Sequence, residues 1–160
     1  MTNQQRGCCA EPNTTARRSV TVVLDAGALI AVDKRDRAVG ALLRVLQRDG
    51  VPIVTSAAVV AQAWHDPRRQ VNLARALAGV EIAALDEVAA KSVGELLRAN
   101  GTSDLADAHV ALLVQPQDRV LTGDEDDIKA LLRTRRVKAV IVRVQKPASA
   151  SRAGRSSLPS

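Results

Sequence analysis

Aspartates at particular spacings are the residues of this chain best suited to chemistry. Asp104 and Asp107 lie three apart in the stretch Gly101–Val114, after a helix-stopping Asn100-Gly101, and the run Leu121-Thr-Gly-Asp-Glu-Asp-Asp127 follows a turn later. Thr102 or Ser103 is placed to cap the helix, which sets both aspartates in its first turn. Residues three apart share a helical face, and two carboxylates held side by side raise each other's pKa. With Asp124 and the Glu125–Asp127 run nearby, such a cluster calls for a cation. Asp25 joins it by position, because it ends the β-branched run Ser19–Leu24. One aspartate at a strand end is ordinarily a cap or turn residue. Asp25, Asp107 and Asp124 at one edge, with Asp104 in support, instead suit Mg²⁺ or Mn²⁺, hard ions that take carboxylate and water oxygens. A metal held there can deprotonate a bound water and stabilise charge on phosphoryl oxygens, the chemistry of phosphodiester hydrolysis.

The elements that must position these acids alternate along the chain. The patterns predict strands at Ser19–Leu24, Pro52–Thr55, Val80–Leu85, Arg119–Thr122 and Val137–Val144. Between them fall helices over Ala26–Val32, Asp36–Gln47, Ala57–Trp64 with Ser56 as cap, Pro67–Ala78, Glu87–Ala99 with Asp86 as cap, Asp104–Val114 and Asp126–Arg133. Apolar stripes support two of them, Val39, Leu42, Leu43 and Leu46 in the first long helix and Val88, Val93, Leu96 and Leu97 in the second. Alternation of this kind gives parallel pairing with right-handed crossovers, hence an α/β fold, a three-layer α/β/α sandwich with a mainly parallel central sheet. Ligands of open parallel sheets bind outside the carboxyl ends of the strands, where Asp25 and Asp124 both fall.

A chain of 160 residues fits one domain, here residues 19–145, between polar tails at 1–18 and 146–160 that are expected to be disordered. Aromatics make up 1% of the chain, with Trp64 alone, so the core must be Leu, Val, Ile and Ala, and modules that stack bases on aromatic platforms are excluded. The formal charge of +6 and pI near 10.1 describe a basic body around an acidic pocket, which attracts polyanions. Cys8 and Cys9 are adjacent in the N-terminal tail and form no zinc or disulfide framework. No apolar run approaches the roughly 20 residues of a membrane span and no signal-peptide pattern opens the chain, so a cytoplasmic protein without membrane contact is expected.

Three segments resemble the PIN-domain ribonucleases, in particular the toxin half of VapBC-type toxin–antitoxin pairs. They are Val22-Val-Leu-Asp-Ala-Gly-Ala-Leu-Ile-Ala31, Ser103-Asp-Leu-Ala-Asp-Ala-His-Val-Ala111 and Val120-Leu-Thr-Gly-Asp-Glu-Asp-Asp-Ile128, within a likeness spanning about Val20–Val144. The resemblance implies a PIN-like fold and a Mg²⁺-dependent endoribonuclease (Mn²⁺ an alternative). Its carboxylates would be Asp25, Asp107 and Asp124, its substrate RNA, its form a homodimer, and its inhibitor a cognate antitoxin. An amphipathic segment of that antitoxin would dock in a hydrophobic groove between the early helices. The family's second acid, a Glu in the helix after the second strand, is here Gln62. An amide oxygen can coordinate or orient a metal-bound water, but it brings no negative charge and no base. Gln62 and Thr122 are therefore supporting residues, with Asp104 a fourth metal carboxylate. A PIN-fold module that binds RNA or protein without cleaving is the alternative.

The remaining conspicuous side chains have plainer readings. His109 is a core or surface imidazole, His65 a turn residue, Trp64 a core or dimer-contact side chain, and Glu125–Asp127 favourable charges at a helix start. Arg68 and Arg69 are the candidate RNA contacts; with Arg75, Arg133, Arg135 and Arg136 they read as solvated helix faces, which on a metal-dependent RNase are also the natural phosphate contacts. A haloacid-type phosphatase needs an Asp where this chain has Gly27, a receiver domain needs a Lys near Thr122-Gly123, and no Gly-rich phosphate loop follows the first strand.

Overall fold

The computed structural model describes residues 19–145; the tails expected at 1–18 and 146–160, with Cys8 and Cys9, lie outside the described residues. Five strands form one sheet in the order β3-β2-β1-β4-β5, every pair parallel: β1 (Val22–Leu24), β2 (Ile53–Ser56), β3 (Glu81–Ala83), β4 (Arg119–Thr122) and β5 (Val140–Arg143). The central strands read as continuous apolar runs because helices cover both faces, and Val22, Val23 and Leu24 are fully buried. The edges are marked by exposure, with Glu81 and Ile82 on β3 and Val140 and Arg143 on β5 open to solvent. The expected sandwich is present, with a sheet that is wholly parallel.

The helices are α1 (Ala26–Asp33), α2 (Arg37–Arg48), α3 (Ala57–Ala63), α4 (Val71–Leu77), α5 (Glu87–Asn100), α6 (Leu105–Leu113) and α7 (Glu125–Thr134). α1 packs against α2, α3 and α4, while α5, α6 and α7 pack on one another. α6 is buried almost all round, including Ala106, Ala108, Val110 and Ala111, and its small residues let it approach the sheet closely. Asp36, Ser56 and Asp86 cap α2, α3 and α5 by accepting backbone N–H groups, and Gly101 closes α5 in the left-handed conformation at φ 75°. Among the described residues no helix is long and apolar enough to cross a membrane.

Several boundaries differ from the sequence-based expectation for identifiable reasons. The Thr21 N–H is bonded by the Asp118 carboxylate, so pairing of β1 begins at Val22, three residues later than a strand from Ser19 requires. Pro67 does not open a helix. Gln70, fully buried, accepts from the His65 and Asp66 N–H groups at 2.8 and 3.0 Å and donates to the Ala63 carbonyl, which clamps residues 64–69 as a turn and delays α4 to Val71. Val137 does not begin β5, because its N–H closes the end of α7 on Leu132 O. Val88 lies off the buried face of α5, and Trp64, at the end of α3, is 36% exposed and so is no core residue.

Strand order reverses between β1 and β4, and one close contact holds that boundary together. A Cβ built on Gly27 would meet Gly123 N at 2.5 Å and Gly123 Cα at 2.8 Å, so the start of α1 lies directly on the turn that follows β4. This contact explains why no side chain occupies position 27. Gly27→Ala is expected to lower stability by about 3 kcal/mol in denaturant unfolding, because rigid backbone must move. Gly94→Ala, in open space on α5, should raise it by about 0.5–1 kcal/mol.

Candidate active site

Asp25 follows β1 and caps α1, with Oδ1 accepting from the Ala26 N–H at 2.5 Å. Its Oδ2 accepts from the Thr122 hydroxyl at 2.7 Å, and that same hydroxyl accepts from the Asp124 N–H at 2.9 Å. Thr122 thus joins the end of β1 to the turn after β4, at the point where the strand order reverses, which is where parallel sheets open a crevice. Thr122 is fully buried and Asp25 is 4% exposed. Asp124 stands at the N-cap position of α7, yet its carboxylate makes no capping bond and is exposed, leaving its oxygens available.

Asp104, and not Thr102 or Ser103, caps α6: its Oδ1 accepts from the Asp107 N–H at 3.0 Å. The expected hydroxyl cap loses because a carboxylate at the helix N-terminus also gains from the helix dipole. One Asp104 oxygen is thereby committed. Asp107 is half-buried, and burial, followed by the charges of Asp25, Asp104, Asp127 and Asp124, pushes its carboxyl up to about 7. Asp25 is raised by burial and, more weakly, by Asp104, against the lowering effect of the Thr122 and Ala26 bonds. The fold therefore brings Asp25, Asp104, Asp124 and Asp127 within electrostatic reach of Asp107, and Asp104 within that of Asp25.

Asp127 acts on Asp107 as well, although the sequence singled it out only as one of the nearby Glu125–Asp127 run and as a helix-start charge. It lies three residues after Asp124 in α7, and that i, i+3 spacing was the available signal. Its neighbour Glu125 is turned elsewhere, held below its ordinary pKa by the hydrogen bond and charge of Lys129. Gln62 is exposed on α3 and hydrogen-bonds none of the acids. Arg68 and Arg69 are exposed in the clamped turn, where the Arg69 guanidinium is 3.7 Å from Asp66. Arg135 is no phosphate contact: its guanidinium donates to the Ala111 and Val114 carbonyls and caps the end of α6. His109 is a core imidazole, its Nδ1 2.7 Å from Ser56 Oγ, and burial lowers its pKa so that it stays neutral.

A hard dication fits the chemistry of this donor set, since five carboxylates repel one another and two are forced toward protonation. The fit is of the hydrated kind. Among the described residues no group of three acidic, His or Cys side chains is close enough to cage a metal directly. Mg²⁺ commonly keeps several waters and takes only one or two carboxylates.

The raised Asp107 value has a signed consequence. The folded state holds that proton more tightly than the unfolded chain, so the contribution of Asp107 to stability is complete below its ordinary value of 3.8 and is lost as pH rises toward 7. Asp107→Asn removes this loss. With chelator present, the variant should be more stable than the parent by about 1–2 kcal/mol at about pH 8 and equal to it at about pH 4, a figure already reduced for partial solvent screening. Urea unfolding at the two pH values measures the difference.

No family model and no curated protein matches the chain. Among solved structures it is similar to a chain of the VapBC2 complex from Rickettsia felis bound to a DNA fragment from their promoter. The TM-score is 0.54 and the identity 17%, over 79% of this chain and 100% of that one. At that identity the likeness concerns the fold, and the wholly parallel five-stranded α/β/α sandwich described above is PIN-like.

Proposed function

We propose that the chain is a metal-dependent endoribonuclease of the PIN type, the toxin of a toxin–antitoxin pair. The observation that carries this reading is the crowding of acids around Asp107, whose carboxyl is raised by burial and by Asp25, Asp104, Asp127 and Asp124 near the point where the strand order reverses. Asp107 and Asp124, whose carboxylates lie outside hydrogen-bond networks, would hold Mg²⁺ or Mn²⁺, and Asp25 would orient the bound waters from its fixed position. When bound, the ion supplies an activated water and charge stabilisation for the phosphoryl oxygens. Thr122 fixes the Asp25 carboxylate and the Asp124 backbone together. Asp107 would hold the cation in its deprotonated form. Asp127 supplies the negative charge that Gln62 lacks, from α7 in place of α3.

The likeness to a VapBC2 complex supports a protein antitoxin as partner, with inhibition by covering the crevice. A homodimer and a cytoplasmic site of action complete the reading. A second reading, an RNA- or protein-binding PIN module without cleavage, is favoured by Gln62 and by the lack of a caged metal site among the described residues.

Cleavage of total RNA by the purified chain separates the two. Discrete fragments in Mg²⁺ or Mn²⁺, abolished by chelator and reduced at least about 100-fold in Asp107→Ala, are expected; intact RNA with both metals would leave only the binding module. Asp127→Asn should reduce the rate about tenfold by weakening ion binding, whereas Glu125→Gln should leave it unchanged.

A further inference from the structure

An open groove of about 840 Å³, lined by apolar and basic side chains alike, lies where the end of α1 meets α2 and α4. Arg35, Arg37, Arg44 and Arg75 line it over a floor that includes Val32 and Leu43. None of these guanidiniums has a carboxylate partner among the described residues. The single acid of the lining, Asp36, has its carboxylate engaged by the Ala38 and Val39 N–H groups. Four guanidiniums against the one carboxylate of Asp36 leave the groove positively charged, a match for a run of phosphates, which guanidinium groups bind in forked geometry.

The groove and the acids lie toward opposite ends of α1. That helix starts at Asp25 and ends beside Arg35, and its eight residues cover about 12 Å. The crevice repels a polyanion, so a substrate strand needs its flank held by positive charge elsewhere. We infer that the Arg35, Arg37, Arg44 and Arg75 groove holds the phosphates of a single RNA strand whose scissile bond lies at the acids, the strand running along α1. The inference rests on RNA being the substrate. It also says how binding works without aromatic platforms: phosphates are gripped and bases are not stacked.

Arg35 offers a variant that separates binding from folding. It has φ 60°, and its N–H and that of Asp36 return to the Val32 and Ala31 carbonyls, the helix-closing turn in which glycine is the favoured residue. Arg35→Gly therefore keeps or raises stability while removing one cation.

The test is fluorescence anisotropy of a labelled single-stranded oligoribonucleotide with the full chain, in chelator so that no cleavage intervenes, across a salt series. Arg35→Gly should weaken binding several-fold at unchanged or higher Tm. Adding Arg75→Gln should weaken it further and flatten the slope of log K against log salt by about 0.7 for each phosphate no longer neutralised. Arg98→Gln, exposed on α5 and outside the groove, should change neither. Parental affinity and slope in the double variant would overturn the inference, as would the lack of RNA binding by the parent at about 50 mM salt, a groove reserved for an acidic protein segment being one such case. Because binding is read without metal, a chain that binds through these arginines and never cleaves would sink the nuclease and leave the groove assignment standing.

Discussion

One hydroxyl ties the two halves of this molecule together at the site. The Thr122 O–H has a single proton to give and directs it to Asp25 Oδ2 at 2.7 Å, while its oxygen receives the Asp124 N–H. The two strands it joins, β1 and β4, are neighbours in space but 97 residues apart in sequence. Gly27 and Gly123 allow the backbones on either side to meet, and a Cβ on Gly27 would separate them. Everything chemical in the site depends on this junction, because Asp25 and Asp124 are attached to its two sides.

Around the junction the molecule tolerates electrostatic tension. Asp107 is pushed to about 7 by burial and four neighbouring acids, in a chain whose net charge is +6. Elsewhere the same residue types are satisfied. Asp118, as buried as any residue, binds the Thr21 and Gln115 N–H groups at the opposite, amino-terminal end of β1 and β4. Arg135 caps α6, and Asp86 caps α5. These partnered charges serve the fold, whereas the Asp107 and Asp124 carboxylates and the arginines of the α1–α2–α4 groove have no such partner among the described residues. Stability given up at unpaired groups in one place is the usual accompaniment of a site that awaits a ligand.

Much of the architecture was legible in the chain. Apolar runs of strand length alternating with helical stripes implied a parallel sheet, and Ser56 and Asp86 cap the helices whose starts they mark. Three acids could be chosen from spacing and strand-end position, aided by the likeness of their segments to PIN ribonucleases. The failures were of one kind. Pro67 loses its helix to a buried Gln70 amide, Asp104 displaces Thr102 and Ser103 as a cap, and Asp127 joins a cluster while adjacent Glu125 pairs with Lys129. Each outcome was settled by a competing partner whose identity a local pattern does not contain.

The sequence by itself determined the period of every element, and so the sheet, its layers and the edge at which the acids emerge, because burial periodicity is a local property of the chain. Only the tertiary structure decided which charges are left without partners. Whether Asp107 carries a raised pKa, whether Arg135 caps a helix while Arg35 and Arg75 face an open groove, and whether Thr122 bridges two acids all depend on distances between residues far apart in sequence. Electrostatic and hydrogen-bond energies fall steeply with distance and rise with burial, and both quantities come into being only when the chain has closed on itself.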